Sequence, residues 1–173
     1  MAVREPTTDG AAGSPQPGFE QACEVLATGG VIAYPTETYY GLGVRADLPD
    51  AVARLAAIKE RDAQLPVIAD CIETALQWAD IGPALQPLLL QLWPGALTVV
   101  APPRLDVPAP LLSPRRTLAI RVCANALATA LARRSGGVIT STSANLRGQV
   151  PAAAAAARLE DWEVVKNRAA RIS

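Results

Sequence analysis

The chain alternates amphipathic stretches with short apolar runs from Phe19 onward. "FEQACEVLATGG" carries apolar residues at helical spacing until Gly29 and Gly30, and "VIAY" then reads as a short buried strand. The same alternation continues along the chain. It predicts further helices at 49–60, 71–80, 83–93 (with a break near Pro87), 125–134 and 151–162, and further strands within 41–46, 65–70, 94–102, 117–122, 136–140 and 163–165.

Alternating strands and helices predict an α/β fold. A length of 173 residues fits a single domain with a substantial core. Residues 1–17 are rich in glycine, proline, serine, threonine and alanine and have no apolar period. We expect a disordered tail there and one domain over residues 18–173.

Composition narrows the chemistry. The chain has no histidine, which excludes Ser-His-Asp triads and histidine metal sites. Sixteen basic residues balance sixteen acidic ones, so broad nucleic-acid binding has no support, although a local basic cleft stays open. Three scattered cysteines predict reduced thiols in a cytoplasmic protein.

Membrane association is not expected. The most apolar stretch, "PALQPLLLQLW", is too short to span a bilayer, and the amino terminus carries no signal-peptide hydrophobic region. These features predict a cytoplasmic location.

Polar groups gather where predicted strands end, which is where open α/β sheets bind ligands. The loop 34–43, "YPTETYYGLG", brings Thr36 and Glu37 together with glycines that would let a backbone approach a ligand closely. A capped turn explains the same residues. Both interpretations stand on the sequence alone.

Two sets of cations follow. Lys59 and Arg61 lie two residues apart at the end of a predicted helix and outside the core, where they could converge on one anion or simply complement the helix dipole. Arg121 ends an apolar strand and needs a partner. That partner is either an acidic side chain or a ligand carboxylate or phosphate.

The stretch "GGVITSTSANLRG" (136–148) ends a buried strand in Ser141, Thr142, Ser143 and Asn145. These groups form either a loop with a helix cap or a cradle for phosphate or carboxylate oxygens. No general base accompanies them. The set favours nucleotidyl or phosphoryl transfer by positioning and charge neutralisation with Mg²⁺, outside the P-loop and Rossmann motifs.

Five motifs in order, "PTETYYGLG", "KERDAQLP", "LWPGALT", "TLAIRV" and "STSANLRG", resemble the YrdC-like threonylcarbamoyl-AMP synthase family from about Phe19 to about Leu159. The resemblance implies a twisted open sheet with flanking helices and a concave ligand cleft. It also implies a nucleotidyltransferase that makes threonylcarbamoyl-AMP and pyrophosphate from L-threonine, bicarbonate (or CO₂) and ATP. The product would serve t⁶A37 modification of tRNA.

The resemblance also assigns roles to residues. Lys59 and Arg61 would be catalytic and face the ATP phosphates. Threonine would be held by Thr36, Arg121 and Ser143, and the nucleotide by Lys59, Arg61, Ser141, Ser143 and Asn145. Mg²⁺ would arrive with ATP, without a dedicated protein metal site. A tRNA threonylcarbamoyl transferase complex would act downstream, with weak RNA binding as a further expectation.

Some positions depart from the family pattern. Asp62 replaces the usual proline after Arg61, and "CANA" (123–126) replaces a Pro-Asp-His-Pro-like stretch. The family's glycine-rich turn and Ser-Thr-Val segment do not follow the last predicted helix, so we expect a shortened carboxyl terminus. Three alternatives remain: an RNA-binding module, an inactive or repurposed module of the same fold, and a carbamoyl-AMP-forming relative.

Overall fold

The computed structural model describes residues 17–59 and 64–144, in which helices and strands alternate as the sequence predicts. The described helices are α1 (Pro17–Ala27), α2 (Pro49–Ile58), α3 (Ile72–Trp78), α4 (Gln86–Leu92) and α5 (Ala126–Arg134), with a short 3₁₀ helix at Ala109–Leu111. The described strands are β1 (Ile32–Pro35), β2 (Tyr40–Gly43), β3 (Val67–Ala69), β4 (Val99–Ala101), β5 (Leu118–Val122), β6 (Val138–Thr140) and β7 (Thr142–Ser143).

The predicted tail, the helix at 151–162 and the strand at 163–165 lie outside the described residues, except that Pro17 already belongs to α1. None of the helices in the described part is long and apolar enough to cross a membrane.

Local chemistry explains where the helices begin and end. Gly29, with φ of 76°, adopts the left-handed conformation that ends α1. The Asn125 side chain accepts hydrogen bonds from the backbone N–H groups of Leu127 and Ala128 and so caps α5. The helix predicted at 83–93, with a break near Pro87, begins only at Gln86, beside this proline. This proline lies in the first turn of α4, where its missing N–H has no helical partner to lose.

The strands form two sheets. One has the order β1-β2-β7 and is antiparallel, and the other has the order β4-β5-β3-β6, in which only β3 and β5 run parallel. Residues 44–46 follow β2 and form backbone hydrogen bonds with β6, which connects the two sheets. Here the Val44 N–H bonds to the Thr140 hydroxyl instead of a carbonyl, which interrupts the regular ladder.

Strand β3 divides the core. Val67 and Ala69 face one apolar cluster and Ile68 faces a second, and all three are fully buried. Residues paired across neighbouring strands share a face. Arg121 pairs with Ile68 and therefore lies on the face of the second cluster, which includes Tyr34. That cluster supports the candidate site.

Candidate functional site

The loop between β1 and β2 is organised by the Thr36 hydroxyl. Its oxygen accepts hydrogen bonds from the backbone N–H groups of Thr38 and Tyr39, each at 3.2 Å, and its proton goes to the Tyr39 carbonyl at 2.7 Å. Thr36 is buried. These bonds form the capped turn that the sequence left open as one interpretation, and they fix the backbone on both sides of Glu37.

The glycines of this loop make room for an aromatic ring. A Cβ on Gly43 would lie 2.7 Å from Cε1 of Tyr34, and one on Gly41 would lie 3.3 Å from its Cζ. The missing side chains at these two positions therefore make room for the Tyr34 ring, while the close approach of a ligand to this backbone stays a prediction. The buried Tyr34 ring occupies the space, and its hydroxyl donates to the Thr140 carbonyl at 2.7 Å.

Glu37 is the partner of Arg121. The Arg121 Nη1 donates to Glu37 Oε1 at 2.6 Å, and the Cys123 thiol donates to Glu37 Oε2 at 2.5 Å. The Arg121 side chain is 11% exposed and the Glu37 side chain is 20% exposed, so solvent screens this ion pair weakly. Of the two partners that the sequence left open for Arg121, the structure contains the acidic side chain.

The Cys123 thiol is fully buried. Burial raises the pKa of this thiol, and the neighbouring Glu37 carboxylate raises it further by accepting its proton in a hydrogen bond. Cys123 is therefore a protonated hydrogen-bond donor at neutral pH. Its free state agrees with the reduced thiols predicted from the sequence, whereas its contact with Glu37 had no signal in the "CANA" stretch.

Lys59 lies at the carboxyl end of α2 and donates from Nζ to the backbone carbonyl of Ser143 at 2.7 Å. With 6% of its surface exposed it is buried, so the expectation that it lies outside the core is wrong. Its carbon chain packs inside the protein while its ammonium meets a carbonyl, which is how a lysine becomes buried at tolerable cost.

Strand β7 carries the predicted cradle. Ser143 pairs with Gly41, and Thr142 pairs with Leu42. Paired residues share a face, so Thr142 faces the core with Leu42, while Ser141 and Ser143 face the Tyr34 side. The Ser141 backbone N–H bonds to the Pro66 carbonyl at 2.7 Å. The stretch is thus a short strand rather than only a loop.

Tyr34 lies between these groups. Burial raises the pKa of its phenol far above the usual value, with smaller electrostatic contributions from Ser141, Cys123, Arg121 and Glu37. The structure therefore brings the β1–β2 loop, the end of β5 and the start of β7 together around one tyrosine.

Two predicted site residues, Arg61 and Asn145, lie outside the described residues. Glu37, to which no sequence prediction gave a role, joins the candidate site through Arg121 and Cys123. Its position inside "PTETYYGLG" was the available signal, but its partners come from a distant strand. A depression of about 280 Å³ elsewhere, lined in part by Asp47, Trp78 and Asp106, contains none of the predicted residues.

Within the described ranges, no group of three or more His, Cys, Asp or Glu residues is arranged to hold a metal ion.

Similar proteins place the chain in a family. The Sua5/YciO/YrdC family model, described as telomere recombination, matches residues 24–166. A threonylcarbamoyl-AMP synthase from Alkalilimnicola ehrlichii is 41% identical over 139 residues, which cover 79% of this chain and 73% of the relative.

Solved structures agree with the family match. The crystal structure of P. abyssi Sua5 complexed with L-threonine has a TM-score of 0.73 and 32% identity, covering 78% of this chain. This chain spans 40% of the length of the P. abyssi protein. E. coli YciO has a TM-score of 0.70 and 29% identity, covering 79% of this chain and 68% of its own.

These similarities confirm the predicted α/β fold and the predicted family. The family model covers well over half of the chain, and the Alkalilimnicola relative is similar across most of both sequences. The chain belongs to the Sua5/YciO/YrdC family, the family of the curated threonylcarbamoyl-AMP synthases.

Proposed function

We propose that this chain is an L-threonylcarbamoyl-AMP synthase, a nucleotidyltransferase that forms threonylcarbamoyl-AMP and pyrophosphate from L-threonine, bicarbonate or CO₂, and ATP. The observation that carries the proposal is the 41% identity to a relative named threonylcarbamoyl-AMP synthase, of which this chain covers 73%. The residues around Tyr34 have the chemistry that such a reaction needs.

The reaction has two bond-forming steps. The threonine amine, in its neutral form, attacks CO₂ and loses a proton to give a carbamate. A carbamate oxygen then forms a bond to the α-phosphorus of ATP while the bond to the bridging oxygen breaks and pyrophosphate leaves. Positioning and charge neutralisation carry most of such a transfer, which is compatible with a chain that has no histidine.

The nucleotide end of the site is proposed at β7. Lys59 holds a buried positive charge beside Ser143, and Ser141 and Ser143 place hydroxyl groups on the same face of the strand. A cation surrounded by hydroxyl groups suits phosphate oxygens. Arg61 and Asn145 would complete this end, as the family resemblance implies.

The amino-acid end is proposed at Arg121, with Thr36 and Ser143 as further contacts, as the family resemblance implies. A guanidinium binds a carboxylate through parallel N–H donors, so Arg121 suits the carboxylate of threonine. The solved P. abyssi Sua5 complex contains L-threonine, which supports an amino-acid substrate for this chain. Thr36 would contribute through the backbone that its hydroxyl bonds hold in place.

The remaining expectations belong to the same proposal. Mg²⁺ would enter bound to ATP and neutralise phosphate charge during the transfer. The product would pass to a tRNA threonylcarbamoyl transferase complex in the cytoplasm. A module that binds RNA or has lost activity is the competing function.

The test is pyrophosphate release from Mg-ATP, with threonine and bicarbonate supplied separately and together. We expect release only when both are present, accompanied by threonylcarbamoyl-AMP detected by mass spectrometry. Arg121→Met should raise the KM for threonine, whereas Arg104→Met, which removes an exposed ion pair with Asp80, should leave it unchanged. A folded protein that releases no pyrophosphate would contradict the proposal and favour the competing function.

A further inference from the structure

Glu37 is held from two sides at the centre of the candidate site. Its Oε1 accepts from Arg121 at 2.6 Å and its Oε2 accepts from the Cys123 thiol at 2.5 Å. Arg121 lies near the end of β5, Cys123 directly follows this strand, and both side chains donate to the same carboxylate. One carboxylate therefore bridges the end of β5 to the loop between β1 and β2.

The backbone that carries Glu37 is itself fixed. The Thr36 hydroxyl bonds to three backbone groups within the loop, so Glu37 starts from a defined position. Cys123 is buried and protonated, and its single S–H donor sets the orientation of the carboxylate. A charged pair arranged this way orients Arg121 before any ligand arrives.

Arg121 is only partly used by this contact. A guanidinium has five N–H donors, and Glu37 accepts from one of its terminal nitrogens. In residues 17–59 and 64–144 no other side-chain hydrogen bond of Arg121 is formed. The side chain is 11% exposed, so part of it stays accessible from solvent.

We propose that Glu37 is a positioning residue for substrate recognition, which holds the Arg121 guanidinium so that its remaining N–H donors face the carboxylate of the amino-acid substrate. The inference rests on the proposed function for the identity of that substrate. Glu37 itself does not touch the substrate. The opposite role, in which Glu37 competes with the substrate for Arg121, makes the opposite prediction.

The experiment compares the affinities for L-threonine and L-threoninamide, measured by calorimetry. The amide replaces the carboxylate that Arg121 would bind with an uncharged carboxamide. Wild type should prefer threonine. Glu37→Ala should reduce this preference about tenfold, the loss expected when a charge-assisted contact worth about 1.4 kcal/mol is misplaced. Glu37→Gln, which keeps an oxygen acceptor for Arg121, should restore part of it.

Two further variants separate positioning from structural damage. Cys123→Ser keeps a proton donor for Glu37 and should preserve the preference better than Cys123→Ala. Glu20→Ala removes an exposed carboxylate that pairs with Arg134 at 3.2 Å and should behave as wild type. Equal weakening of both ligands in Glu37→Ala would indicate structural damage and overturn the inference.

The remaining outcomes are also decisive. A stronger preference for threonine in Glu37→Ala would establish competition and overturn positioning. Failure of the wild-type protein to bind threonine, or to discriminate the two ligands, would also overturn positioning. If wild type discriminates them and the variants respond as expected, positioning is supported even where pyrophosphate release fails. If pyrophosphate release succeeds and the preference is unchanged in Glu37→Ala, only the inference on Glu37 fails.

Discussion

The ammonium of Lys59 donates to the backbone carbonyl of Ser143 over 2.7 Å, which ties the end of α2 to β7 across 84 positions of sequence. Both residues were predicted to meet ATP, from separate motifs. Their contact shows that one residue of each motif meets the other in the fold. It also makes Lys59 a structural residue as well as a candidate catalytic one.

Lys59→Met should therefore change stability and activity together. Methionine keeps the apolar stem but leaves the Ser143 carbonyl without its charged donor, which we expect to lower the free energy of unfolding by about 1.5–3 kcal/mol. The KM for ATP should rise in the same variant. Urea unfolding and pyrophosphate kinetics measure the two effects.

The control for Lys59→Met is Arg133→Met. The Arg133 side chain is 67% exposed and lies 3.4 Å from Asp70, so its loss should change stability by no more than about 0.5 kcal/mol. A Lys59→Met protein as stable as wild type would show that the buried hydrogen bond contributes nothing.

Thr140 and Thr142 should respond in opposite ways to the same substitution. The Thr140 hydroxyl accepts from the Val44 N–H at 3.0 Å and donates to the Leu42 carbonyl at 3.3 Å. Thr140→Val therefore leaves the buried Val44 N–H without its acceptor. We expect a loss of about 1–3 kcal/mol in the free energy of unfolding.

The Thr142 hydroxyl is buried and has no hydrogen-bond partner among the described residues. Thr142→Val removes an unpaired polar group at nearly constant shape, and should leave stability unchanged or raise it by about 1 kcal/mol. Thermal and urea unfolding of the two variants, measured side by side, test the pair. Destabilisation of both by the same amount would mean that the Thr142 hydroxyl is bonded in solution.

Tyr34 should make stability sensitive to alkaline pH. Burial raises the pKa of its phenol in the folded state, so the folded protein keeps the proton that the unfolded chain releases near pH 10. The resulting stability is fully present below about pH 10 and declines as the pH rises beyond that value.

Tyr34→Phe removes both the phenol and its 2.7 Å bond to the Thr140 carbonyl. Wild type should exceed this variant by about 1 kcal/mol at pH 8, and the gap should close as the pH rises above 10. Urea unfolding of both proteins from pH 8 to 11 measures the gap. Tyr39 and Tyr40 are present in both proteins and cancel. A constant gap across this range would refute the assigned pKa shift.

The apolar pattern predicted most of the described elements, because helix and strand periods depend on local spacing. The helix that begins near Phe19, the strand before the β1–β2 loop and the Asn125-led helix all lie close to their predicted ranges. The expectation that failed, an exposed Lys59, depends on packing between segments that are distant in sequence, which local spacing does not report.

The sequence by itself determined the fold class, the family and the residue types of the site, since these follow from periodicity and from motifs in order. Only the tertiary structure decided which of those residues meet. Glu37 lies 84 positions from Arg121 and 86 positions from Cys123 in the sequence, and the buried Lys59 donates to the Ser143 carbonyl, which lies 84 positions away. Such contacts depend on how the strands pair across the sheets. The local sequence pattern does not determine the distance between segments that are more than 80 positions apart.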